Sequence, residues 1–118
     1  CVTGARGERN ADKRPKLGRV AEANADLVVI TDDDPRSEDP QVILEDILSG
    51  LTRPDEAEVI PDRAEAIGWA LSQARAGDCV LIAGRGHCTR QVIGSQRRHF
   101  DDREVARQWL YANPCDHE

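Results

Sequence analysis

Two short apolar runs, LVVI at residues 27–30 and CVLIA at 79–83, show no polar alternation. A strand with one wetted face alternates, so these runs predict strands buried on both faces, as in a parallel sheet covered by helices. Each run stops at an abrupt loop: TDDDPRSEDP follows the first and GRGHC the second. In open parallel sheets, ligands bind beyond the carboxyl ends of the strands, so both loops fall where chemistry is expected. The glycine-rich stretch GARGERNADKRP joins the same edge if Cys1–Thr3 forms a third strand.

The rest of the chain fits this frame. Leu17, Val20, Ala21 and Ala23 predict a short helix over residues 16–24. Asp39 sits where an N-cap belongs, Pro40 at the first helical position and Gly50 just past the end, around a stripe of Val42, Ile43, Ile47 and Leu48. Residues 58–60 read as a strand. Asp62 and Glu65 form a capping-box pattern that opens a helix through Ala66, Ile67, Ala70, Leu71 and Ala74 to Gly77. Residues 90–93 and 97–100 predict a hairpin around Gly94-Ser95, and Asp101 or Asp102 caps a last helix ending near Tyr111. Alternating strands and helices imply an α/β fold, three-layered and Rossmann-like, with a mostly parallel sheet, right-handed crossovers and a C-terminal hairpin.

Length and charge narrow the function. At 118 residues the chain is one domain. Its net charge is −6 and its cations are scattered, the densest group being Arg85, Arg90, Arg97, Arg98 and Arg103, which argues against a nucleic-acid surface. No apolar run approaches the roughly 20 residues a membrane span needs, and no signal peptide opens the chain, so a cytoplasmic protein without a membrane partner is expected. Its four cysteines, Cys1, Cys79, Cys88 and Cys115, lack zinc-site spacing and are expected to be reduced thiols. A chain that starts at Cys1 and contains no methionine suggests a piece of something longer.

Three adjacent aspartates, Asp32 to Asp34, repel one another and need solvent, a nearby cation or a cationic ligand to offset the cost. Asp is a common turn residue, so the plainest reading is a solvated turn that Arg36 neutralises. The glycine loops match neither G-x-G-x-x-G nor G-x-x-x-x-G-K-S/T, so the chain carries no nucleotide cradle of its own. On the same plain reading, His87 is a backbone-bonded histidine, Lys13 and Arg14 are surface cations, and Cys115-Asp116-His117 is a frayed terminus. Cys88 becomes a reactive thiol only if exposed near Arg85 or Arg90.

Taken together, GARGERNADKRP, TDDDPR and AGRGH, followed by QVIG and a final DDR helix, resemble the carboxy-terminal domain of the Mur ligases, specifically the MurE type. The corresponding family patterns are G-x-G-G-D-R-D-x-x-K-R-P, D-D-N-P-R and G-K-G-H-E. The resemblance covers nearly the whole of residues 1–118 and implies one domain of a longer ligase, without the family domain's first strand and helix. It implies ATP-driven amide formation in peptidoglycan precursor synthesis, with meso-diaminopimelate added to UDP-N-acetylmuramoyl-L-Ala-D-Glu. ATP and Mg would be bound mainly by an absent central domain, and this piece alone would be inactive.

Carried over, Asp33, Asp34, Pro35 and Arg36 would receive the diamino acid, with further contacts from Arg9, Gly84 and Cys88. Lys13 and His87 would be helpers near phosphate, and no residue would ligate a metal. Arginine forks suit a carboxylate and aspartates an ammonium, so a zwitterionic ligand would supply the counter-charge that TDDDPR needs. Asp34 replaces the family Asn, and Cys88 the family Glu. An L-lysine-adding ligase, a folylpolyglutamate- or cyanophycin-type ligase, and a non-catalytic module that holds an amino acid are the alternatives.

Overall fold

The structure is a computed structural model that describes residues 1–8, 11–85 and 88–113. Its elements run β1 (Val2–Thr3), α1 (Lys13–Asn24), β2 (Val29–Ile30), α2 (Pro40–Leu48), a 3-10 turn (Pro54–Glu56), β3 (Glu58–Val59), α3 (Arg63–Gln73), β4 (Arg90–Ile93), β5 (Gln96–His99) and α4 (Asp102–Ala112). β1, β2 and β3 pair in parallel in the order β1-β2-β3, with Val2 opposite Val29 and Val29 opposite Glu58. β4 and β5 form the expected antiparallel hairpin.

Neighbouring residues of the LVVI run point to opposite faces, and each face has its own core. Val29 joins Val2, Ala66, Ile67, Ala70 and Phe100 on one side. Val28 and Ile30 join Ile43, Leu44 and Ile47 on the other. Helices α1 and α2 pack together, as do α3 and α4, which gives the three layers that unalternating strands require. The helix starts follow local chemistry. Asp39 accepts from the Gln41 amide with Pro40 at the first helical position, Asp62 accepts from the Glu65 amide and Asp101 from the Arg103 amide. Asp101, not Asp102, is therefore the last cap.

Several features depart from the sequence expectation, among them the strands expected over 27–30 and 97–100, which run Val29–Ile30 and Gln96–His99. α1 begins at Lys13 rather than Lys16, because Pro15 still lies in the first turn, where its missing N–H costs nothing. α3 ends at Gln73, short of Gly77. The CVLIA run is not a buried interior strand. It pairs with β1 through the single parallel bridge Val2–Ile82, held by Val2 N to Leu81 O and Ala83 N to Val2 O, both 2.8 Å. Among the described residues no strand pairs with its outer side, so Cys79 is exposed and Leu81 is 59% exposed.

This segment nevertheless fixes where the site lies. From β1 the chain steps to β2 and then β3 in one direction, with α1 and α2 on one face. It then returns across the sheet through α3, on the opposite face, to lie at the other side of β1. Opposite directions on opposite faces keep the crossovers the same hand. The order reverses between β1 and residues 79–83, so the loops that follow them diverge and open a crevice.

Candidate functional site

The acidic loop is neither solvated nor neutralised by Arg36. Asp33 and Asp34 are buried, and their counter-charge is Arg85, 2% exposed, whose Nη1 donates to Asp34 Oδ1 at 2.8 Å. Arg85 Nη2 donates to the carbonyls of Arg90 and Phe100, each at 2.8 Å. The Phe100 ring centroid lies 5.3 Å from this guanidinium and 5.5 Å from that of Arg98. A second buried arginine, Arg63, grips Asp102 in a two-pronged pair, Nε to Oδ1 at 2.7 Å and Nη2 to Oδ2 at 2.8 Å. Arg63 also donates to the carbonyls of Asp32 and Ala83, which ties α3 to both strand ends.

Two guanidiniums thus face three carboxylates, those of Asp33, Asp34 and Asp102. Asp33 carries the excess. Burial, reinforced by Asp34 and opposed by Arg63 and Arg85, pushes its carboxyl up to about 6. Burial and Asp62 push the half-buried Asp32 up to about 6 as well. Asp33 Oδ1 makes no hydrogen bond although the residue is only 2% exposed. Gly84 passes beside this carboxylate with φ +106°, a conformation that a side chain would strain.

The hairpin stitches the loop from outside. Asp34 Oδ1 accepts from the Val92 amide, Arg36 N donates to Val92 O, and Gly94 N donates to Arg36 O. Buried Gln91 donates to the Asp33 carbonyl at 2.8 Å. Arg36 is held at φ +55°, in the left-handed region that non-glycine residues occupy at a cost. Its Nε is buried without a hydrogen-bond partner.

The glycine-rich loop docks on the other side. Gly7 N donates to Asp34 O, and a Cβ on Gly7 would overlap the Pro35 carbonyl, so only glycine allows this approach. Glu8 accepts from the amide and hydroxyl of Ser37, and Glu38 accepts from the Glu8 amide. Arg14 is no surface cation. It is 3% exposed and spans Glu38 at 2.8 Å and Asp46 at 2.9 Å.

Between the loops lies an open cleft of ≈ 790 Å³, lined by Gly4, Arg6, Lys13, Lys16, Asp33 and Gly84 among others. Arg6 Nη2 donates to Cys88 Sγ at 3.2 Å. The structure therefore brings Asp33, Asp34, Pro35, Arg36, Gly84 and Cys88 to one edge, with Lys13 at the cleft. Arg9 and His87 lie outside the described residues. So does the Cys115-Asp116-His117 tail.

Sequence reasoning missed Arg6, Arg14, Arg63 and Arg85 as parts of this edge. Arg6 had a visible signal, since it occupies a glycine position of the family pattern. The others reveal themselves only through partners 24 to 51 positions away.

A doubly wound α/β domain with charged loops converging at its switch point belongs to the class that binds small ligands at the carboxyl edge of the sheet. Comparison makes the class specific. Residues 1–86 match the family model "Mur ligase, glutamate ligase domain", and the chain belongs to that family.

Among curated proteins it is 52% identical over 110 residues to a UDP-N-acetylmuramoyl-L-alanyl-D-glutamate--2,6-diaminopimelate ligase of Synechococcus sp. (strain WH7803), covering 93% of this chain and 22% of that protein. The ligase of the same name from Xanthomonas campestris pv. campestris (strain 8004) is 52% identical over the same shares. A solved structure titled with that ligase name superposes with a TM-score of 0.90 at 39% identity, over 98% of this chain and 24% of the other. The chain thus spans under a quarter of the length of these relatives. Among the described residues no helix is long and apolar enough to cross a membrane.

Proposed function

We propose that this chain is the amino-acid-accepting domain of an ATP-dependent ligase that joins meso-diaminopimelate to UDP-N-acetylmuramoyl-L-alanyl-D-glutamate. The observation that carries the reading is the convergence of Asp33, Arg6 and Gly84, from the three loops, on one cleft, in a chain whose relatives bear that ligase name. Arg36 is the residue that receives a carboxylate of the incoming amino acid. Its backbone is clamped by the hairpin and its Nε is without a partner, so a bound carboxylate would satisfy a donor that is otherwise left buried and costly.

Asp33 lines the cleft, its Oδ1 turned to Arg85 Nη1 at 3.5 Å, and is the acid placed to face an ammonium group. Asp34, whose charge is already taken up by Arg85, shapes the loop and does not grip the ligand. The domain's contribution is to hold the nucleophilic amino acid in line with an activated carboxylate supplied by the rest of the enzyme.

ATP and Mg belong to that remainder. The glycine loops do not match the phosphate-cradling pattern G-x-x-x-x-G-K-S/T. Lys13, exposed at the cleft, is the group that would reach a phosphate on the partner domain.

The test is ADP release by the full-length protein carrying this chain, supplied with ATP, Mg, the muramoyl dipeptide and meso-diaminopimelate. Arg36→Ala should raise the KM for diaminopimelate by about 10- to 100-fold and leave the KM for ATP unchanged. Turnover with L-lysine and none with diaminopimelate would favour the lysine-adding alternative.

A further inference from the structure

Arg6 and Cys88 depart from the family pattern at two separated places, one a glycine position and the other a glutamate position, and the fold puts them in contact. Arg6 Nη2 donates to Cys88 Sγ at 3.2 Å. A thiol is a weak acceptor and leaves the guanidinium charge available to a stronger one. The backbone at this arginine is held in place. Its carbonyl accepts from Arg14 Nη2 at 3.4 Å, and the next residue, Gly7, is bonded to Asp34 O at 2.7 Å.

The charges around it leave the cleft cationic. Arg6, Lys13 and Lys16 line it, whereas Arg14 is committed to Glu38 and Asp46. The facing acid is Asp33, buried and with one carboxylate oxygen free of hydrogen bonds. One wall therefore offers a guanidinium fork, and the acid facing it is already held 3.5 Å from Arg85 Nη1.

We propose that Arg6 is a specificity residue, positioned by Cys88, that binds the side-chain carboxylate of the incoming amino acid. The selected class is the amino acids whose side chain ends in a carboxylate. This rests on the ligase reading above and deepens it. A glutamate at position 88 would select for a distal ammonium. Arg6 and Cys88 replace that negative selector with a positive one, so the distal carboxylate becomes essential and the distal amine dispensable. An Arg–carboxylate pair is directional and often two-pronged, which suits it to such discrimination.

The experiment measures ADP release by the full-length protein with saturating ATP and muramoyl dipeptide. The amino acids are meso-diaminopimelate, 2-aminopimelate (which lacks the distal amine) and L-lysine (which lacks the distal carboxylate). Wild type should use 2-aminopimelate with kcat/KM within about tenfold of diaminopimelate, and lysine at least about 100-fold less well.

Arg6→Gly should raise the KM for both dicarboxylic substrates by about tenfold or more, with kcat within about threefold and the KM for ATP unchanged. Arg6→Lys should recover part of that loss. Arg6→Gly combined with Cys88→Glu should turn the preference toward diaminopimelate over 2-aminopimelate. An unchanged KM for diaminopimelate in Arg6→Gly overturns the role of Arg6 alone, as does a raised KM for ATP, which would assign the guanidinium to phosphate. Absence of diaminopimelate-dependent turnover in the wild type overturns the ligase reading and this inference with it.

Discussion

The carboxyl edge of the sheet has two halves that look alike in the sequence and differ in the fold. On one side Asp34, Arg85, Asp102 and Arg63 are buried and joined in two short pairs, Arg85 with Asp34 and Arg63 with Asp102, with Arg85 Nε left without a hydrogen bond. On the other, Arg6, Lys13 and Lys16 line an open cleft, and the oxygen of Asp33 lacks a hydrogen bond. Both halves are charged loops after strands. The first spends its charges on holding three elements together, whereas the second keeps them for a ligand. Charge in a loop is thus a poor guide to function until its partners are known.

Breaking the closed half should cost most. Arg85→Ala removes the partner of Asp34 and leaves the Arg90 and Phe100 carbonyls buried without a donor. A loss of about 3–5 kcal/mol is expected, read from the shift of the urea midpoint at constant slope.

A smaller effect sharpens the boundary between the halves. Asp33 is an acid whose folded-state pKa, about 6, lies above the usual carboxylate value of 3.8. Between these values the folded state binds more protons than the unfolded chain, so its contribution to stability is full below about pH 4 and is lost as the pH rises through about 6. Asp33→Asn should flatten that fall, by on the order of 2 kcal/mol between pH 4 and pH 7, as followed by urea unfolding across that window. An equally steep fall in the variant would assign the slope to Asp32, the neighbouring carboxyl pushed up to the same value.

The smallest effect belongs to the open half. Lys13→Ala, at an exposed position, should change stability by no more than about 0.5 kcal/mol in the same unfolding experiment. A larger loss would mean that the cleft cations are structural after all.

Much of the fold was legible because it rests on short-range chemistry. Asp39 with Pro40, Asp62 and Asp101 mark helix starts through bonds to amides two or three residues away. The two-sided burial of LVVI follows from its unbroken apolar pattern. At CVLIA the same pattern pairs with β1 alone among the described residues, and Leu81 is exposed.

For the site, the strand ends located the loops, and TDDDPR, Gly84 and Cys88 do gather at one edge. Which cation answers which acid was not legible. Arg85 lies 51 residues from Asp34 in the chain, and only the return of α3 across the sheet brings them together. The counter-charge assigned in the sequence to a ligand, or to Arg36, therefore sits inside the protein.

The Asp34–Arg85 bond has a consequence for how such domains change over time. The family pattern carries a neutral Asn and a Lys at these positions, and this chain carries an acid and a guanidinium that reach each other across the edge. Neither replacement is comfortable alone. An aspartate at 34 without the arginine is a buried, poorly matched anion, and an arginine at 85 without the aspartate loses its shortest ion pair, keeping only the longer ones to Asp33 at 3.5 Å and Asp102 at 3.8 Å. The two positions should therefore drift as a couple through the lineage, and a relative that keeps Asn at one is expected to keep Lys at the other.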